Sequence, residues 1–250
     1  KLMAFFGGRL RFFGVGGAPL APEVEKFLIE AKFPYAIGYG LTETAPMLAG
    51  FGPDDAVYRS VGAVMQGIDI RIDNPDSKTG EGEIVAKGRN IMKGYYKKDD
   101  LTKEVFTEDG YFKTGDLGLI DKKGILYIKG RLKNMILGPN GENIYPEEIE
   151  SVINEYEYVS ESLVMQIKGK LVARVHINFE QLEDKFRHLV NNAHDKHDEL
   201  KLKAEEILEE LHKHINLHLS GNSRLQMVLL QVDPFEKTPT QKIKRFLYKG

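Results

Sequence analysis

The sequence predicts an α/β fold that passes into an α+β unit. Three observations carry that expectation. Residues 1–59 set short apolar runs around one amphipathic helix. Residues 60–132 are β-type runs broken by glycine and Asp-Lys turns, and residues 133–250 mix helices with strands.

The elements follow in order. "LRFFGVGGAPL" reads as a short strand entering a glycine turn, and "PYAIGYG" as a second strand. Between them "APEVEKFLIEAK" has helical spacing, with Val24, Phe27, Leu28 and Ala31 on one face and Pro22 suited to a first turn. Strand, helix, strand is a βαβ unit, so this part is expected to be parallel sheet with ligands at the strands' carboxyl ends. The glycine loops Gly14 to Gly17 and Gly38 to Gly40 are expected at those ends. "GIDIRID", "GEIVAKG", "GDLGLID" and "GILYIKG" then predict an antiparallel sheet or small barrel, with a hairpin turning at Asp121 to Gly124. "YPEEIESVINEY" starts a helix at Pro146, with Glu147 and Glu148 at its positive end and Ile149, Val152 and Ile153 inward. A hairpin turning at Lys168 to Lys170, a polar helical stretch over 180–220, a last strand "QMVLLQV" and a short final helix complete the pattern. Leu200, Ile207, Leu208, Leu211 and Ile215 form the buried stripe of the helical stretch. The change of character falls at Arg131 to Asn134, which divides the chain at 132/133.

Composition excludes several classes. At 42% hydrophobic and 29% charged, the 250 residues suit a packed globular protein. A net charge of -2 supplies no field for nucleic acid or an anionic membrane. With no cysteine there is no disulfide, thiolate metal site or cysteine nucleophile, which fits a reducing cytoplasm. Arginines and glycines interrupt the apolar N-terminal stretch too often for a signal core or membrane span. His194 with His197, and His214 with His218, have ligand spacing, but in so charged a region they read as a solvated helix face.

"GYGLTETAP" places a tyrosine, a hydroxyl and a carboxylate together on a glycine-hinged stretch. Alone, it fits either a ligand loop or a strand–turn with a surface glutamate. Five other stretches accompany it in order: "GVGGAPL", "GEIVAKGRNIMKGYY", "YFKTGDLGLIDKKGILYIKGR", "NGENIYPEEIE" and "TPTQKIKR". Together the six resemble the adenylate-forming (AMP-binding) ligases, over nearly the whole chain. "NIMKGYY", "GRLKNMIL" and "KTPTQKIKR" are nearest in flavour to the long-chain fatty acyl-CoA synthetases.

The resemblance implies a fold: the end of a large AMP-binding domain, 1–132 (βαβ segment 1–59, β-rich subdomain 60–132), then a small mobile lid domain, 133–250. It also implies roles. Tyr39 lays its ring on adenine, with Gly16, Gly17 and Ala18 at the other face, where side chains must stay small. Thr42 bonds the α-phosphate, and Glu43 holds Mg²⁺, a hard cation that takes carboxylate oxygen. Asp116 accepts both ribose hydroxyls, with Arg131 as a second ribose contact. Lys133 is the hinge. Lys242 bridges the carboxylate and the α-phosphate during adenylation; Lys244 and Arg245 lie close enough to be mistaken for it. Gln241 stands where the family usually has glycine. Gly138 and Gly141 lie on the face offered to CoA after the lid rotates.

The implied activity is acyl-adenylate formation from a fatty acid and ATP, then acyl transfer to CoA, with ATP, Mg²⁺ and CoA as cofactors. Nucleic acid is not expected as a partner, and peripheral membrane contact would come through the fatty product. The family's phosphate loop, a Ser/Thr/Gly-rich run ending in Pro-Lys-Gly, is not in the sequence. The expectation is therefore a C-terminal portion that folds without catalysing alone. The alternatives are a non-catalytic nucleotide-binding or docking module, and a ligase that adenylates acyl or aryl acids for a carrier protein.

Overall fold

The computed structural model describes residues 1–186, 196–219, 221–239 and 241–248. Lys1–Lys133 and Asn134–Gly250 form two compact units.

In the first unit, a helical turn α1 (Leu2–Phe5) precedes β1 (Phe13–Gly16), α2 (Pro22–Glu30) and β2 (Tyr35–Gly40). Pro22 at the start of α2 and Glu23 and Glu25 in its first turn suit a helix N-terminus. β1 and β2 run parallel with Gly16 opposite Gly38, so the βαβ expectation holds. Gly38 to Gly40 is strand rather than loop; the chain turns only after Gly40.

β3 (Met47–Phe51), β4 (Gly62–Val64), β5 (Ile68–Asp73), β6 (Gly82–Gly88), α3 (Asp99–Glu104), β7 (Phe112–Ile120) and β8 (Ile125–Arg131) follow. The β-rich part is antiparallel, but it is not a separate barrel. β4 pairs with both β3 and β8, which merges all the strands into one sheet of order β1-β2-β3-β4-β8-β7-β6-β5. Asp121 shapes the β7–β8 turn by accepting the amides of Lys123 and Ile125 at 2.8 and 2.9 Å. Leu48, Ile84 and Leu126 are fully buried at the sheet's centre. Each is worth about 1.5–3 kcal/mol of burial.

α2 departs from expectation. Leu28 packs with Phe33, Tyr35 and Phe51, but Val24 and Phe27 are 47% and 55% exposed. Glu25 is buried instead. The helix is apolar on more than one side, and the side turned to β2 is the one carrying Glu25 and Leu28. The Glu25 carboxylate accepts from the Arg59 amide at 3.1 Å and the Tyr35 hydroxyl at 3.4 Å. Burial raises its pKa against the pull of these donors and of the Arg59 charge. A folded pKa above the unfolded one means that the native state binds the extra proton. Stability from this group is complete below the unfolded pKa and is lost as pH rises above it. As pH rises past the ordinary glutamate pKa, urea unfolding of the chain should therefore show stability falling more steeply with pH than in Glu25→Gln. Parallel slopes would mean that Glu25 does not carry the proton.

The second unit begins with a small hairpin, β9 (Ile136–Leu137) and β10 (Asn143–Ile144), followed by α4 (Pro146–Ile153). β11 (Val159–Ile167) and β12 (Lys170–Ile177) form the expected hairpin. α5 (Phe179–Phe186) and α6 (Lys196–His218) then lead to β13 (Met227–Gln231), which joins β12 in parallel. Leu200, Ile207, Leu208, Leu211 and Ile215 are buried as their spacing predicts, with Ile149 and Ile153 of α4 in the same core. The far face of β11 carries Leu163 and Met165, covered by Phe235 together with Ile243 and Tyr248 from the C-terminal segment.

Candidate nucleotide site

The carboxyl ends of β1 and β2 lie side by side, because Gly16 is paired with Gly38. Gly16, Gly17 and Ala18 are exposed there. Past β2, Thr42–Thr44 forms one 3₁₀ turn, with Ala45 in the left-handed region at φ 46°. Thr44 is completely buried and holds the turn shut. Its Oγ1 accepts the Leu41 amide at 2.9 Å and lies 3.0 Å from the Leu41 carbonyl and 2.5 Å from the Pro46 carbonyl. Thr42 is left exposed and Glu43 half-buried.

Tyr39 ends up buried, at 7% exposure, rather than on an open loop. Its hydroxyl donates to Asp116 Oδ2 at 2.8 Å. Arg131 Nε meets Asp116 Oδ1 at 2.9 Å, and its Nη1 donates to the Thr114 carbonyl at 3.1 Å. Three residues singled out separately in the sequence are thus one contiguous cluster. Burial and the Asp116 charge both raise the Tyr39 pKa, so the phenol is a neutral donor. Tyr39 and Arg131 thus engage both oxygens of the buried Asp116 carboxylate. Thr114 shapes the bend ahead of Asp116: its hydroxyl donates to the Ile84 carbonyl at 2.7 Å and accepts the Asp116 amide at 3.1 Å.

Two supporting residues escaped the sequence reading. Tyr95 donates its hydroxyl to Glu43 Oε1 at 3.0 Å, and the Met92 amide donates to the Glu43 carbonyl at 2.8 Å. Asn90 Nδ2 donates to the carbonyls of Thr44 and Met47 at 2.6 and 2.9 Å, clasping both sides of the Ala45 bend. Both belong to "GRNIMKGYY", so the stretch was visible, but nothing local showed that it reaches the turn about fifty residues earlier. Glu43 Oε2 has no protein partner among the described residues. One carboxylate with an open oxygen suits Mg²⁺, which keeps several waters and leans on substrate phosphates. Among the described residues no cluster of three or more acidic, His or Cys groups offers an all-protein metal cage. His194 lies outside the described residues. The His214 and His218 rings lie 4.7 Å apart and tilted by 46°, and the His218 ring bonds the His214 carbonyl.

In the first unit, Lys133 lies in the short turn Leu132–Asn134 and is the unit's last residue. In the second unit, Gly138 and Gly141 bound the β9–β10 turn, where the Gly138 amide donates to the Glu142 carbonyl. Lys242 sits in the C-terminal segment, exposed and without a side-chain partner among the described residues. Its neighbours are occupied: Lys244 pairs with Glu236 at 3.2 Å and Arg245 with Glu150 at 2.5 Å.

A family model described as "AMP-binding enzyme" matches residues 4–96. The peroxisomal long chain acyl-CoA synthetase 7 of Arabidopsis thaliana is 33% identical over 269 residues, covering 98% of this chain and 38% of that protein. The chain belongs to the adenylate-forming (AMP-binding) ligase superfamily. Among other superfamily members, the 2-succinylbenzoate–CoA ligase of Bacillus velezensis is 37% identical over 158 residues, covering 61% of this chain and 32% of that protein. The Bacillus subtilis O-succinylbenzoate CoA synthetase in complex with AMP superimposes with a TM-score of 0.76 at 26% identity, over 96% of this chain and 46% of that one. ATP-bound MatB from Rhodopseudomonas palustris gives 0.74 at 26% identity, over 97% and 45%. The chain thus spans well under two thirds of the superfamily members it matches. Among the described residues, no helix is long and apolar enough to cross a membrane.

Proposed function

We propose that this chain is the C-terminal portion of an ATP-dependent long-chain fatty acid–CoA ligase, incomplete as a catalyst without an upstream phosphate loop. The observation that carries the nucleotide reading is the Tyr39–Asp116–Arg131 cluster, set in one unit with the Thr42–Glu43 turn. The long-chain reading draws on the Arabidopsis synthetase, whose similarity runs along 98% of this chain.

In this reading Asp116 and Arg131 hold the ribose, and the small strand-end residues Gly16, Gly17 and Ala18 leave room beside adenine. Adenine stacking by Tyr39 needs one ring face open, so the 7% exposure makes its hydrogen bond to Asp116 the firmer part of its role. Thr42 donates to the α-phosphate. Glu43 holds Mg²⁺, which supplies charge neutralisation to the phosphates. The fatty carboxylate attacks the α-phosphorus, the bond to the β-phosphate oxygen breaks, and pyrophosphate leaves. Lys242 offsets the charge gathering on carboxylate and phosphate oxygens. The chain then turns at Lys133 and presents the Gly138–Gly141 face to CoA. The deprotonated thiol attacks the acyl carbonyl and AMP leaves. One site serves two half-reactions, and neither needs a covalent enzyme intermediate.

Absence of cysteine suits a reducing cytoplasm, although the Arabidopsis relative is named as peroxisomal. An aryl acid is the second reading, favoured by the Bacillus velezensis 2-succinylbenzoate–CoA ligase and its identity of 37% over 158 residues. Acid-dependent ATP–pyrophosphate exchange by the full-length protein separates the two, with a panel of long-chain and aryl acids. Long-chain acids should support exchange, and Lys242→Ala should cut it roughly 100-fold or more. Exchange with aryl acids alone would move the substrate to that class. With no exchange under any acid, the chain becomes a nucleotide-binding or docking module.

A further inference from the structure

The lysine read as catalytic sits on a loop with its own anchor. Lys237 and Ile243 are bridged, the Thr238 amide donates to the Lys242 carbonyl at 2.8 Å, and the Gln241 amide donates to the Thr238 carbonyl at 2.9 Å. The result is a tight hairpin whose turn ends on Gln241 at φ 62°, the left-handed region that favours glycine. Its base is fastened elsewhere. Arg245, three residues past Lys242, places Nη2 2.5 Å from both carboxylate oxygens of Glu150 on α4. Arg245 Nη1 donates to the Val164 carbonyl on β11 at 3.2 Å, and the Val164 amide returns a bond to Glu150 Oε1 at 2.6 Å. The ring closes α4, β11 and the hairpin on one another. Lys237 adds a second tie to Glu161 of β11 at 2.5 Å.

We infer that Glu150 is a positioning residue for Lys242: it anchors Arg245 and so fixes where the Lys242 loop leaves the body of its unit. The inference rests on the ligase reading for its catalytic consequence, though not for the anchoring itself. A half-buried ion pair such as this one gains little stability over well-packed apolar residues, but its paired groups hold one fixed geometry. Geometry is what a charge-stabilising lysine needs, because a misplacement of about 1 Å costs on the order of 100-fold in rate. Glu150 follows "YPEEI" on α4, and its carboxylate meets Arg245 and the Val164 amide rather than Lys242.

The test pairs a conformational readout with a kinetic one. In the 250-residue chain, Glu150→Gln should speed hydrogen exchange at the Thr238, Gln241 and Lys242 amides about tenfold, while the β11–β12 amides stay protected. In the full-length protein, the same variant should lower acyl-adenylate formation about 10- to 100-fold and leave CoA transfer from supplied acyl-adenylate within about twofold. Arg245→Lys is the second variant, since a single ammonium cannot reproduce the planar fork that sets Nη2 on Glu150 and Nη1 on the Val164 carbonyl. Glu236→Gln, which breaks only the exposed pair with Lys244, is the control and should change neither readout. Unchanged exchange at the hairpin amides in both Glu150→Gln and Arg245→Lys overturns the inference. So does equal loss of both half-reactions with the β11–β12 amides deprotected, which marks a merely structural role. If Lys242→Ala leaves adenylation intact while the hairpin amides still respond, the ligase assignment of the lysine fails and the anchoring stands.

Discussion

Asp116→Ala is expected to weaken AMP binding by about 100-fold, the loss of the two charge-assisted hydrogen bonds proposed to ribose at about 1.4 kcal/mol each. The same change strands two partners within the protein. The Tyr39 hydroxyl, on a residue 7% exposed, loses its acceptor. Arg131 loses an ion pair, but its side chain is 37% exposed and water can replace much of that contact. The stability cost should therefore be about 2 kcal/mol, mostly from the orphaned hydroxyl. Asp116→Asn separates the two effects. Its amide oxygen can still accept from Tyr39, so stability should largely return, whereas nucleotide affinity should not. Titration of AMP into the full-length protein, beside urea unfolding of the 250-residue chain, reads both. Wild-type AMP affinity in Asp116→Ala, despite lower stability, would reduce the cluster to a structural brace and remove the main support for the nucleotide reading.

The members of this cluster were legible one at a time, but their contact was not. Tyr39 and Asp116 stand 77 positions apart, and no periodicity links them. They meet because β4 joins β3 to β8 and so puts β2 and β7 in one sheet, and a three-residue strand such as Gly62–Val64 leaves little trace in a sequence. Long periodic elements were read well. The α6 stripe and the α4 face land in one core because helical spacing alone decides which residues face inward over many turns. α2 shows the limit: two apolar sides compete on a helix of nine residues, and tertiary packing chose the one with Glu25. Glu150 was hidden for a related reason. Next to Ile149 in an acidic helix start it resembles a solvated carboxylate, and only the fold reveals Arg245, 95 residues away, as its partner. The identity of the free lysine was hidden in the same way. Three basic residues crowd "KIKR", and the ion pairs of Lys244 and Arg245 leave Lys242 as the one among them without a side-chain partner among the described residues.

The largest effect on the fold itself is expected from Gly40→Ala. Gly40 closes β2 opposite Met47, immediately before the turn that carries Thr42 and Glu43. An added Cβ there would overlap the Pro46 carbonyl oxygen and lie 2.6 Å from its carbon and 3.1 Å from Met47 Cα. All three are backbone atoms, so no side-chain rotation relieves the clash. The Pro46 carbonyl is also the one that the Thr44 hydroxyl holds at 2.5 Å, and Thr44 in turn fixes the Leu41 amide. Moving Pro46 therefore opens the whole Thr42–Glu43 turn and pulls on the Asn90 clasp at Thr44 and Met47. The cost should reach about 3 kcal/mol, the upper end for overpacking, because backbone rather than side chain must yield. Gly124→Ala is the matched control. Gly124 has φ +80° but nothing within 4 Å of an added Cβ, so only conformational strain of about 1 kcal/mol applies. Urea unfolding of both variants distinguishes a steric requirement at Gly40 from a general dislike of alanine at glycine. Equal losses would remove the steric requirement at Gly40 and free the turn from dependence on this contact. A larger loss at Gly40, with Mg·ATP affinity of the full-length protein falling alongside, would tie the close approach of Gly40 and Pro46 to the geometry of Glu43, the carboxylate proposed to hold Mg²⁺.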